Sequence, residues 1–288
     1  MFLKEKTLIK SVAWAIVFAV FAVFGLLQVP KTVSASEILY SDDGTSFWGE
    51  GVPVTTNETI YWDSYVLHDE YLVEQAPSYG FTGSLENCCA PAAGTNVIGF
   101  YDRFYTSLIP NFEPGIMSNG QYWYLPNMNF APLIQTFNDL YDLMGTNQDG
   151  AGTSGEQFKN GLKQYVNNHG YNLNYGSFYQ SNKTVNISAL QSMIANNKVG
   201  VLLCTKYNFV YDIIHSTNET FLSKSDYNLA HMMMVYGYIV VDYYRDGQMF
   251  RSDTYLQVSS GYALGNQGYV LLNNNSMEIQ EALIVNIS

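Results

Sequence analysis

The feature that most narrows the fold is a change of period near residue 199. Before it, apolar residues recur at helical spacing. Val97, Ile98, Tyr101, Phe104 and Tyr105 follow Pro91, in a helix expected to run from Cys89 and stop before Pro110. A second helix is predicted over 133–143, ahead of a Gly145-Thr146-Asn147 stop. Thr153-Ser154-Gly155-Glu156-Gln157 has the form of an N-terminal cap for a third, which runs to His169 and ends at Gly170; a short helix over 187–195 follows. Beyond 199 the pattern becomes that of strands, at 199–204, 230–244, 249–258, 268–273 and 282–287. Helices first and a mostly antiparallel sheet afterwards predict an α+β domain.

Residues 1–35 stand apart from that domain. Lys4, Lys6 and Lys10 precede an uncharged apolar stretch, and Val33-Ser34-Ala35 supplies small residues suited to a signal peptidase. The segment reads as a signal peptide, or as an N-terminal anchor if it stays uncleaved. Either way the remainder lies outside the cytoplasmic membrane, secreted or at the cell surface, and 1–35 is its only expected contact with a membrane. That segment carries four lysines and one glutamate, so its removal takes the net charge from −12 to −15. Such a surface excludes nucleic acid and anionic lipid as natural partners. Residues 36–75 are polar with turn signals, an arm or propeptide, and 76–288 form the predicted domain. Three cysteines, two of them adjacent, make no disulfide framework. An exported chain with so few cysteines and so much Asn, Tyr and Gly suits a Gram-positive bacterium.

Two positions carry the chemistry. Cys89 opens the first helix, two residues ahead of Pro91, and 142 residues later His231 opens the run His231-Met232-Met233-Met234-Val235-Tyr236-Gly237-Tyr238. A thiol at a helix start meets unpaired N–H groups and the positive end of the helix dipole, both of which favour the thiolate. An imidazole beside it serves as base and then as proton donor to the leaving group. Cys89 is preferred over Cys88, which lies one residue further out. Among the four histidines, His68 falls in the polar arm, His169 ends a helix and His215 lies between strand and loop. Only His231 begins a long apolar strand. Cys89 is then expected to be partly thiolate at pH ~6–7, and Cys204, within an apolar run, to be inert.

Cys89-Ala90-Pro91-Ala92-Ala93-Gly94, with Asn96 and Gly99-Phe100-Tyr101-Asp102 after it, resembles the nucleophile helix of bacterial papain-like cysteine peptidases of the double-glycine leader peptidase type. The run from Ala230-His231 to Gly237-Tyr238 is similar to their histidine strand. The resemblance spans about residues 75–273. It implies a papain-like fold and thiol-dependent amide hydrolysis through an acyl-enzyme thioester, with no cofactor. The family's leader-peptide substrate does not transfer with it.

The resemblance also locates two departures. If Asp246-Gly247 is a two-residue turn, paired residues sum to 493. His231 then lies opposite Tyr262, with Ser260 as its diagonal neighbour on the same face. The family commonly has Val-x-Asp-Gly-Trp in this stretch, where the chain reads Val258-Ser259-Ser260-Gly261-Tyr262. Ser260 is thus the expected orienter of the imidazole, in place of a carboxylate, with Asp253 and Asn266 as less suited substitutes. Family members also carry a glutamine about six residues before the cysteine, where this chain has Gly83. Asn87 can supply the second oxyanion donor beside the Cys89 N–H, or simply cap the helix.

Asp139, Asp142 and Asp149 lack the order of a calcium loop, no Cys/His metal spacing appears, and the many tyrosines read as core and sheet-face residues. The expectation is an exported cysteine peptidase or amidase acting on peptide or protein, with cell-wall peptide as one such substrate. The alternative is a papain-like fold whose catalysis has lapsed and which serves as a secreted binding or toxin-like module.

Overall fold

The computed structural model describes residues 31–40, 52–62, 65–66, 76–112, 115–116, 122–123, 131–180, 184–215, 219–245, 248–259, 268–272 and 277–288. Residues 1–30 of the expected export segment, His68, the Asp246-Gly247 turn, Ser260 and Asn266 lie outside these. The chain divides into the units Met1–Lys31 and Thr32–Ser288, and the architecture below belongs to the second. Among the described residues, no helix is long and apolar enough to cross a membrane.

The architecture is α+β. Three strands come first, β1 (Lys31–Tyr40), β2 (Val52–Trp62) and β3 (Tyr65–Val66), then helix α1 (Cys89–Asp102). The short strands β4 (Gly115–Ile116) and β5 (Tyr122–Trp123) precede α2 (Ala131–Leu143) and α3 (Gly155–Asn168). After β6 (Leu173–Ser177) and α4 (Ile187–Ala195) the described elements are strands: β7 (Val199–His215), β8 (Glu219–Tyr227), β9 (His231–Arg245), β10 (Gln248–Ser259), β11 (Gly268–Leu271) and β12 (Glu278–Ile287).

Local chemistry accounts for the helix ends. Ser154 accepts from the Gln157 N–H while the Gln157 side chain accepts from the Ser154 N–H, a complete capping box for α3. Asn186 caps α4 by accepting from the Ala189 N–H at 3.1 Å. Helix α1 ends at Asp102, short of the predicted stop before Pro110. The Asp102 carboxylate accepts from the Ile109 N–H at 2.9 Å, and tight turns at 101–105 and 105–108 fold the chain back over the helix end. Phe104 and Tyr105, in phase with the helix, therefore lie just beyond it.

Six strands in the order β6-β12-β7-β9-β10-β11 are antiparallel throughout. Strand β7 is long enough to pair twice. Its first part bonds β12 and β9, and its second part meets β8 and β11. Strands β7, β9, β10 and β11 thus close a circuit. The sheet curls around Leu202, Cys204, Tyr207, Phe209, Met233, Val235, Leu256, Val258 and Val270. A second core lies between the other sheet face and the helices, with Val97, Ile98, Phe100, Leu133, Phe137, Phe158, Leu203, Met232, Met234 and Tyr236. Strand β2, in the polar arm where no strand is expected from the sequence, pairs antiparallel with the outer half of β9 from Thr55↔Tyr244 to Trp62↔Gly237.

Asp102 is buried at 2 % exposure, and desolvation pushes its carboxyl from the ordinary 3.8 up to about 6. The folded state thus binds this proton more tightly than the unfolded chain. Its contribution to stability is full below pH 3.8 and is lost as pH rises to about 6. Asp102→Asn keeps an acceptor for the Ile109 N–H and removes the buried charge. We expect it to stabilise the protein by about 1–3 kcal/mol at neutral pH and to flatten the stability profile between those two values. Urea unfolding midpoints measured across pH 3.5 to 7.5 check both; a less stable variant at pH 7.5 contradicts the assignment.

Candidate active site

Helix α1 is buried along nearly its whole length, from Ala90 to Asp102. That is unusual for a surface helix and normal for one lying between a sheet and other helices. Small side chains make this feasible: Ala90, Ala92, Ala93 and Gly94 let neighbours approach closely, with Met144, Leu140 and Phe158 against Gly94. Pro91 sits in the first turn, where a missing N–H costs nothing. Helix α1 thereby packs on β9.

The two adjacent cysteines have different surroundings. The Cys88 thiol is buried and donates to the Ser84 carbonyl at 3.0 Å. Burial, with the neighbouring Cys89 thiol adding to it, pushes Cys88 up to about 12. Cys88 is the N-cap residue of α1, without a side-chain cap bond. Cys89, the first residue of α1, is partly exposed. The backbone N–H groups of Met232, Ala90 and Cys89 itself favour the thiolate. Burial outweighs them and raises the thiol above its usual value. Burial acts against the expectation, from His231 and the helix start together, of a partly ionised Cys89 at pH ~6–7. Cys204 is fully buried in the barrel and pushed up to about 12 by desolvation.

The Met232 amide links His231 to Met232 at the start of β9, the strand on which helix α1 packs. His231 is buried, 6 % exposed, at the first residue of β9. It lies directly opposite Cys204 of β7, and opposed residues share a face, so its side chain starts on the barrel side while Met232 faces the helices. Its ring stacks with that of Tyr207, centroids 6.1 Å apart and planes 20° from parallel.

The β9–β10 ladder begins in the predicted register, Arg245↔Gln248 and Tyr244↔Met249. An irregularity between Met249 and Arg251 shifts it by one residue, and a second at Gln257/Val258 shifts it back, so that Met234 faces Ser259 as the two-residue turn requires. The expected orienter Ser260 is the next residue, outside the described set. Ser259 is buried and accepts from the Asn96 side chain at 3.0 Å. Asn96 stands two helical turns from Cys89 on the same stripe, so this bond ties helix α1 to β10, the strand beside His231's own.

Upstream of Cys89, Phe81 packs edge-on against Phe137 and Tyr141. A Cβ at Gly83 would come 2.5 Å from the Phe81 ring, so the position that carries glutamine in the resembling family has no room for a side chain here. Asn87 is exposed, in the left-handed region at φ 58°, which asparagine tolerates better than most residues. The helix cap is Cys88, so Asn87 does not hold that place. Its loop is clamped from the side by Asn147, whose amide donates to the Glu86 carbonyl at 2.9 Å and whose Oδ1 accepts from the Gly152 N–H at 2.7 Å. Asn147 read from sequence as part of a helix stop, and nothing local signalled its contact with residue 86. Among the described residues, no three His, Cys, Asp or Glu side chains group to hold a metal ion. A scan against protein-family models finds no match for this chain, and a search of the curated proteins finds none either.

Proposed function

We propose that the chain is an exported, papain-like peptidase or amidase in which Cys89 is the nucleophile and His231 the general base and acid. The observation that carries this reading is the Cys89 thiol at the start of a buried helix that packs on β9, the strand His231 opens. Burial raises the Cys89 thiol, so attack calls for a base, the role this reading gives to His231 at the start of β9. Cys89 Sγ adds to the substrate carbonyl as its proton passes to His231. The oxyanion is received by the Cys89 N–H and the Asn87 side-chain amide. Collapse expels the amine, protonated by His231, and leaves an acyl thioester. Water, deprotonated by His231, hydrolyses it and restores the thiol. Ser260 acts as an acceptor for the second imidazole N–H. No cofactor enters, and the substrate is a peptide or protein, cell-wall peptide included.

Iodoacetamide labelling of the full chain across pH 5 to 10, mapped by mass spectrometry, tests the dyad. Cys89 in the native protein should label at pH 6.5 at least ~10-fold faster than in His231→Ala. In that variant burial is opposed only by the backbone amides, and labelling should begin only above about pH 8.5, the range of a free thiol. Identical profiles would remove the enzyme reading and leave a binding module on a lapsed fold.

A further inference from the structure

We infer that Tyr207 is the positioning residue of the active-site imidazole: its ring holds the plane of His231 for proton transfer. The inference rests on the cysteine–histidine reading above. Tyr207 is fully buried, and its ring packs against two others. His231 lies at 6.1 Å and 20°, and Tyr227 at 5.3 Å and 16°. Three rings from β8, β7 and β9 thus lie nearly parallel, and close packing leaves that of Tyr207 no room to turn.

The stack depends on an irregularity in β7. Ile279 faces Cys204 but Glu278 faces Lys206, so Thr205 is an extra residue in the ladder. Without it, alternation would send Tyr207 to the face opposite that of Cys204 and His231. With it, Cys204 and Tyr207 both join the barrel core. A bulge that re-aims one aromatic side chain onto a candidate base has a functional sense.

The two rings are nearly parallel and offset, with centroids 6.1 Å apart, so Tyr207 packs alongside the imidazole and limits its rotation. In the resembling family a carboxylate orients the ring, whereas the orienter expected from this sequence is Ser260. A flat neighbour beside the ring supplies orientation that a hydroxyl alone holds less firmly.

The test compares Tyr207→Phe, which keeps the flat face, with Tyr207→Met, which fills the space without one. The readouts are the pH profile of Cys89 labelling, the His231 ring-proton resonances assigned by comparison with His231→Ala, and the unfolding temperature. Tyr207→Phe should label within about 3-fold of the native rate at pH 6.5, with His231 ring protons still shifted upfield by the neighbouring ring. Folded Tyr207→Met should lose about 10-fold or more of that rate, with its profile moved to higher pH and the upfield shift gone. A folded Tyr207→Met with native rate and profile overturns the inference. Should that variant not fold, a loss of about 10-fold in Tyr207→Phe, where the face is intact, overturns it equally. If His231→Ala labels like the native protein, the dyad reading itself fails; if only Tyr207→Met is silent, the dyad stands and the positioning role falls.

Discussion

Cys89→Ser is expected to lower amide hydrolysis by about 10³-fold or more. A serine hydroxyl is a far weaker acid than a thiol, and in the same buried setting, where desolvation already opposes the anion, an imidazole cannot draw its proton before attack. The other two cysteines supply the controls. Cys88 donates to the Ser84 carbonyl, a bond that a serine hydroxyl can also make, so Cys88→Ser should retain turnover within about 3-fold, the scale of a lost or weakened neutral hydrogen bond. Cys204 packs inside the barrel. Cys204→Ser should cost about 1–3 kcal/mol of stability by burying a hydroxyl and leave the rate of folded protein unchanged. Product amines from a peptide library, with the acyl thioester sought as a mass adduct on Cys89, measure all three. Cleavage that survives Cys89→Ser and disappears in Cys88→Ser would reassign the nucleophile.

Gly268→Ala is expected to be among the most damaging single-methyl changes in the fold. Gly268 begins β11 and pairs with Val258 on one side and Tyr211 on the other, so it stands where the sheet closes on itself. A Cβ there would fall within the ring of Phe209, and Phe209 is a buried barrel residue with nowhere to move. Overpacking of this kind costs about 3 kcal/mol, which for a domain of this size lowers the melting temperature by roughly 6–12 °C. Gly176→Ala is the matched control. In edge strand β6 a Cβ meets only Ile284, at 3.4 Å and beyond, so its melting temperature should stay within ~2 °C of native, the shift of a surface change of ~0.5 kcal/mol. Equal melting temperatures for the two variants would show that β11 does not close the barrel under tight packing.

Much of the secondary structure was legible because its causes are local. Ser154 and Gln157 announce the start of α3, and the observed helix begins at Gly155. The predicted short helix over 187–195 is α4, residue for residue. The elements missed are those whose causes are distant. Strand β2 lies in a polar stretch and exists as a strand through its pairing with β9. The end of α1 at Asp102 depends on a side-chain bond to residue 109, although apolar periodicity runs on past it. The two shifts in the β9–β10 ladder cancel, so simple turn arithmetic reached the right partner for Ser259 through a path it could not represent.

Cys89 and His231 were singled out by sequence alone, as a thiol at a helix start and an imidazole at a strand start. Those settings follow from nearby residues: Pro91, the small side chains after it and the apolar run after His231. What only the tertiary structure decided is how the two segments meet and what that does to their chemistry. The packing of α1 on β9, the Asn96–Ser259 bond and the ring of Tyr207 beside His231 all join residues far apart in the chain. The acidity of Cys89 is decided there as well. A helix start favours the thiolate through a few nearby amides, whereas desolvation sums over everything packed around the sulfur, and that packing is fixed only when the barrel, the helices and the 84–88 loop come together.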